Sequence, residues 1–145
     1  MRSLRAEEGS FESMAVRDTR VFVIDDDHSV RRSVSRLLKA AGFQVEAYES
    51  GPAFLKKTPP RGDHCLVVDV RMPGMSALEL LESLRMAGRY SPIVFITAHG
   101  TDEIRRDLPG ETVLTKPIEA DVLIAAIDSA VYRARAAQIA PSIRK

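Results

Sequence analysis

Three short runs of the chain, Val21-Phe22-Val23-Ile24, Cys65-Leu66-Val67-Val68 and Ile93-Val94-Phe95-Ile96, are unbroken in apolar residues. That is the pattern of strands covered on both faces. Between them the apolar period changes to that of a helix, and the alternation of the two predicts βαβ units and a parallel sheet. Five strands are predicted, at about Arg20–Asp25, Phe43–Ala47, Cys65–Asp69, Pro92–Thr97 and Thr112–Thr115. The second alternates apolar with polar and belongs at an edge. Val30, Val34, Leu37, Leu38 and Ala41 recur at helical spacing before Gly42, predicting a helix over Ser29–Ala41. Ser50 is placed to cap a short second helix, and Ser76 with Glu79 spells a capping box for a third, in which Leu78, Leu81 and Leu84 run to a stop at Gly88. A fourth has room only over Asp102–Leu108, barely two turns, before Pro109-Gly110. The fifth, over Ala120–Gln138, carries Val122, Ile124, Ile127, Val131 and Ala134 approximately along one face and ends before Pro141. Residues 1–19 show no period and are expected to form a flexible arm, with residues 20–138 as one domain and 139–145 as a tail.

A chain of 145 residues fits one domain and buries roughly 68–70% of its unfolded surface. Its 21 Lys and Arg nearly balance its 20 Asp and Glu, so bulk charge argues for neither a nucleic acid nor a membrane surface as partner. The lone cysteine, Cys65, excludes an internal disulfide and fits a reducing compartment. Apolar runs stay far below the ~20 residues of a membrane helix, and the start Met1-Arg2-Ser3-Leu4-Arg5 lacks the apolar stretch of a signal peptide. A soluble, cytoplasmic protein is expected.

The chemistry gathers at strand ends. Asp25, Asp26 and Asp27 follow the first strand directly, and Asp69 ends the third. In parallel α/β sheets the carboxyl ends of neighbouring strands open on one crevice where ligands bind. Clustered acids there suit Mg²⁺, which takes oxygen ligands, keeps several waters and commonly uses one or two carboxylates with phosphate oxygens. Asp27, last before the first helix, suits its N-cap. His28, His64 and His99 show neither metal spacing nor a triad partner.

These residues spell a family. The segments Val21-Phe22-Val23-Ile24-Asp25-Asp26-Asp27, Val67-Val68-Asp69-Val70-Arg71-Met72-Pro73-Gly74-Met75, Ile93-Val94-Phe95-Ile96-Thr97-Ala98-His99-Gly100 and Thr115-Lys116-Pro117 resemble the receiver domain of bacterial two-component response regulators, particularly FixJ-like receivers. The likeness covers about Arg20–Ala130. It implies an α/β fold, a doubly wound five-stranded parallel sheet in the flavodoxin-like (CheY-like) order 2-1-3-4-5. It also implies that Asp69 is a phosphoacceptor, phosphorylated by a histidine kinase or histidine phosphotransfer protein. Mg²⁺ would be held by Asp25, Asp26, Asp69 and the backbone carbonyl of Arg71. Lys116 would pair with Asp69 at rest and with a phosphoryl oxygen after transfer, Thr97 would donate to another oxygen, and the Lys116-Pro117 bond would be cis. Such a protein is not an enzyme on other substrates; it promotes only its own phosphotransfer and dephosphorylation.

Two departures bear on output. FixJ-like receivers carry an aromatic residue three positions before the lysine, where this chain has Val113, too short and too restricted in its rotamers to swing between buried and exposed states. The Thr97–Lys116 segment is also short for the family. With little chain after the fifth helix, a receiver without an effector domain is expected: a monomer or weak dimer that binds no DNA and acts through a separate effector protein, as a phosphotransfer intermediate, a phosphate sink or a regulator read by that partner, among which the sequence does not choose. Three other classes compete. A flavodoxin-like cofactor protein would need a Ser, Thr and Gly-rich phosphate loop where three Asp stand. A Mg²⁺-dependent phosphohydrolase would want a second acid where Arg71 stands. For a protein-binding receiver-like module with weak or lost phosphorylation-dependent switching, the intact Asp69, Thr97 and Lys116 argue against and Val113 argues in favour.

Overall fold

The computed structural model describes residues 17–144, with side chains as far as Gln138. Five strands, β1 (Arg20–Ile24), β2 (Gln44–Tyr48), β3 (His64–Asp69), β4 (Ile93–Thr97) and β5 (Thr112–Thr115), form one parallel sheet in the order β2-β1-β3-β4-β5. Five helices cross between and after them: α1 (His28–Ala40), α2 (Gly51–Leu55), α3 (Ala77–Met86), α4 (Thr101–Asp107) and α5 (Ala120–Arg144). This is the doubly wound order expected, and β2, the alternating strand, is the edge.

Side chains alternate along each strand, so each apolar run feeds two cores. Phe22, Ile24, Leu66, Val68 and Phe95 pack with Phe54 of α2 and with Leu80 and Leu84 of α3. Val21, Val23, Cys65, Val67, Val94 and Ile96 pack on the opposite face with Val34 and Leu38 of α1 and Leu123 and Ile127 of α5. Burial pushes the Cys65 thiol up to about 12, leaving it a buried hydrophobe.

Local signals set the helix starts. Asp27 accepts from the Val30 amide at 3.1 Å and caps α1, Ser50 caps α2, and Ser76 with Glu79 completes the capping box of α3. Helix faces came out differently from their sequence reading. Leu78 is 39% exposed and Val122 48%, whereas Leu80 and Leu123 are fully buried. Spacings of three and four from Ala77 (Leu80, Leu81, Leu84) and from Leu123 (Ile127, Ala130, Val131) describe the faces that dock. Helix α5 also runs through Pro141 to Arg144 rather than ending at Gln138. A proline withdraws one donor from the hydrogen-bond ladder, and the flanking residues stay helical.

Residues 1–16 of the expected arm lie outside the described residues; the last three, 17–19, are described, and Arg17 is firmly held. Its guanidinium sits 4.5 Å from the Phe43 ring centroid, Nε donates to the Ala41 carbonyl at 3.2 Å and Nη1 to Asp128 at 2.9 Å. One side chain thus ties the end of α1 to α5. Arg17→Ala is expected to cost about 1–2 kcal/mol, the sum of a cation–π contact, a hydrogen bond and a weak surface ion pair. Urea unfolding should show the midpoint lowered at unchanged slope; an unmoved midpoint would refute the tie.

Candidate functional site

Register builds the site. Ile24 pairs with Val68, so the next residues, Asp25 and Asp69, leave the sheet side by side. Asp69 pairs with Ile96, which places Thr97 one step beyond, and Thr97 pairs with Thr115, which places Lys116 just past β5. Four strands therefore deliver their chemistry to one crevice. Carboxylate oxygens of Asp25, Asp26 and Asp69 all lie within 4.8 Å of one another.

The three acids differ in setting. Asp25 is only 4% exposed, and its pKa is pushed up to about 6, chiefly by burial and further by the charges of Asp69 and Asp26. The Asp27 amide donates to its Oδ1 at 2.9 Å and, with Lys116, opposes that rise. Asp69, half-buried, is also raised, by burial first, against the charge of Lys116 and the Arg71 amide, which donates to its Oδ1 at 3.4 Å. Asp26 is exposed at the mouth. A buried acid crowded by two others is stabilised by a cation, and the donor set, all hard oxygen, fits a hydrated Mg²⁺.

The cationic and hydroxyl groups take resting positions the sequence did not foretell. Lys116 and Asp69 form no direct ion pair among the described residues. Lys116 acts on both acids as a nearby charge, because its backbone is held by the Thr97 carbonyl at 2.9 Å and its stem runs partly buried on a separate strand end. The Lys116-Pro117 bond is cis. Thr97 is fully buried, and its hydroxyl donates to the His99 carbonyl at 2.7 Å.

Arg31 was missed from sequence. From α1 it donates to the Asp25 backbone carbonyl at 2.7 Å and lies 3.3 Å from His28 Nδ1, bracing the acidic loop. Its one sequence signal is a place on the first turns of the helix that the acids begin.

Beyond the crevice, α4 buries none of its own residues. It is held by Thr101 Oγ1 to Thr115 Oγ1 at 2.8 Å, by Arg105 Nη2 to the Val113 carbonyl at 3.2 Å, by Ile104 against the core, and by Leu108, which ends it and is buried at 3%. Gly100 opens it at φ 68°, with no side-chain cap. Val113 is itself buried, 4% exposed, in the same core.

A family model described as the response regulator receiver domain matches residues 21–128. Nodulation protein W of Bradyrhizobium diazoefficiens is 39% identical over 118 residues, covering 79% of this chain and 52% of that protein. Transcriptional regulatory protein FixJ of the same organism is 38% identical over 120 residues, covering 81% and 58%. The chain thus spans about half the length of the curated relatives it matches. Among solved structures, FixJ-N matches with a TM-score of 0.72 at 35% identity, over 81% of this chain and 96% of that one. Chemotaxis protein CheY4 of Vibrio cholerae matches with a TM-score of 0.68 at 27% identity, over 77% and 98%. Among the described residues no helix is long and apolar enough to cross a membrane.

Proposed function

The chain belongs to the response regulator receiver domain family, and from that premise we propose that Asp69 accepts a phosphoryl group from a histidine kinase or histidine phosphotransfer protein, in a Mg²⁺-dependent reaction. The observation that carries this reading is the junction of the Asp25, Asp26 and Asp69 carboxylates with Thr97 and Lys116 at paired strand ends.

A carboxylate oxygen of Asp69 attacks phosphorus, the bond to the donor's imidazole nitrogen breaks, and that nitrogen keeps the electron pair. Little further bonding chemistry is asked of the protein; placement and charge stabilisation supply the rate. Asp25, Asp26, Asp69 and the Arg71 carbonyl would hold Mg²⁺, which when bound neutralises negative charge on the transferring group. Lys116, already within electrostatic range of Asp69, would meet a phosphoryl oxygen with its ammonium. Buried Asp25 and the braced loop keep the acids in place. Incubation with acetyl phosphate and Mg²⁺, followed by intact-mass measurement, is expected to show one acid-labile phosphoryl group. No gain with several small donors would sink the reading.

Output is proposed to pass through α4 to a partner protein. For Thr97 to reach a phosphoryl oxygen its hydroxyl must leave the His99 carbonyl, which frees the loop opening α4. Val113 has neither the reach nor the rotamers to fill the vacated space. The Ala98–Gly110 segment, whose helix buries none of its own residues, should therefore respond most. Hydrogen exchange with and without beryllofluoride is expected to change there more than at Val113 and α5; the reverse pattern would contradict this route.

A further inference from the structure

Arg31 lies against the acidic loop yet makes no ion pair with a carboxylate among the described residues. Its guanidinium goes to a neutral oxygen instead. Nη1 donates to the Asp25 backbone carbonyl at 2.7 Å, a length typical of a charge-assisted bond, and Nη2 donates to His28 Nδ1 at 3.3 Å. That carbonyl belongs to the peptide joining Asp25 to Asp26. A peptide is planar and includes both flanking Cα atoms, so holding its carbonyl holds the two points from which these acids project. The next peptide is tied as well, because the Asp27 amide donates to Asp25 Oδ1 at 2.9 Å. Asp25 has further support from its burial and from its own amide, which donates to the Tyr48 carbonyl at 3.1 Å. Asp26 is exposed at the mouth, and its place depends on the ties to either side of it.

We propose that Arg31 is a positioning residue that makes this site select Mg²⁺ over Ca²⁺, a role that rests on the receiver reading above. Both ions take carboxylate oxygens and carry the same charge, so attraction alone does not separate them. Geometry and rigidity do. Mg²⁺ demands near-ideal octahedral geometry at about 2.0–2.1 Å, whereas Ca²⁺ accepts about six to eight oxygens at about 2.3–2.6 Å in flexible arrangements. Acids on a pinned loop keep to the tighter geometry, while acids on a loose one spread to suit the larger ion. The choice of acceptor matters too. Because Arg31 holds a carbonyl rather than a carboxylate, the guanidinium fixes the loop without occupying the acid oxygens that the ion needs.

The test is calorimetric titration of the full chain with Mg²⁺ and, separately, with Ca²⁺ at about pH 7.5, where the carboxylates are ionised. The readout is the ratio of the two Kd values. Arg31→Met is expected to shift that ratio at least about tenfold toward Ca²⁺ by weakening Mg²⁺, the effect typical of losing a group that orients a metal's ligands. Loss of the charge itself cannot produce the shift, since a guanidinium repels both divalent ions alike and cancels from the ratio. General loosening of the fold would likewise move both affinities together. Arg31→Lys keeps the charge and a donor for the carbonyl but not the fork that also reaches His28, and should shift the ratio by only about threefold. A ratio within about twofold of the parent in Arg31→Met would overturn the proposal and leave the receiver reading standing. Where that variant does not fold, an unshifted ratio in Arg31→Lys has the same force. A parent chain that takes up no Mg²⁺ would overturn both.

Discussion

Asp69→Asn is expected to abolish the mass gain that the parent chain shows with acetyl phosphate and Mg²⁺, while leaving the fold intact. An amide oxygen in that position is a poor nucleophile and cannot carry the phosphoryl group, so the loss is complete rather than partial. The fold survives because Asp69 stands in the crevice with a raised pKa, and removing its charge relieves Asp25 of a repelling neighbour. Lys116→Met separates acceptance from charge stabilisation. Its carboxylates still hold the ion, but the transferring oxygens lose the cation that Lys116 supplies, and loss of such a group typically slows reaction by about 10²–10³-fold. Single-turnover transfer from a phosphorylated kinase measures this directly. A Lys116→Met rate within a factor of about three of the parent would remove Lys116 from the mechanism, and a persisting phosphoryl group on Asp69→Asn would move the acceptor elsewhere.

The second large effect is a pH dependence that Mg²⁺ should invert. The Asp25 carboxyl is pushed up to about 6 in the fold from an unperturbed 3.8. A raised acid holds its proton more tightly folded than unfolded, so its contribution to stability is fully present below the unfolded value and is lost as pH rises through about 6. Asp69, raised likewise, acts in the same direction. Metal-free protein should therefore lose stability between about pH 4 and pH 7. The ion binds the ionised carboxylates, so its affinity should fall about tenfold at about pH 5, one unit below the Asp25 value, as protons compete. Thermal unfolding is expected to show a Mg²⁺-induced rise in Tm at about pH 7.5 that shrinks strongly at about pH 5. Asp25→Asn should unfold at higher temperature than the parent in metal-free buffer near pH 7.5, by a few degrees for a change of about 1 kcal/mol. The same variant should lose most of the Mg²⁺ response. An equal Mg²⁺ response at both pH values would contradict the crowded-acid account.

Much of this protein was legible in its residues because the signals involved are local. An apolar strand must alternate its side chains and a helix must repeat every three or four, so the strands, the edge position of β2 and the caps at Asp27, Ser50 and Ser76 follow from neighbours in sequence. The placing of Asp25, Asp69, Thr97 and Lys116 at strand ends was legible for the same reason. The tertiary structure alone decided what depends on distant partners. Strand register set Asp25 beside Asp69, and burial rather than residue type separated Asp25 from exposed Asp26. Docking chose Leu80 and Leu123 over Leu78 and Val122, because a helix with apolar residues on more than one stripe turns to whichever stripe the sheet can cover. Arg17 became a tie only because α1, Phe43 and α5 converge on it. Lys116 stops short of Asp69 and Thr97 rests on the His99 carbonyl, since the position of a side-chain atom is fixed by packing across the sheet and not by its place along the chain.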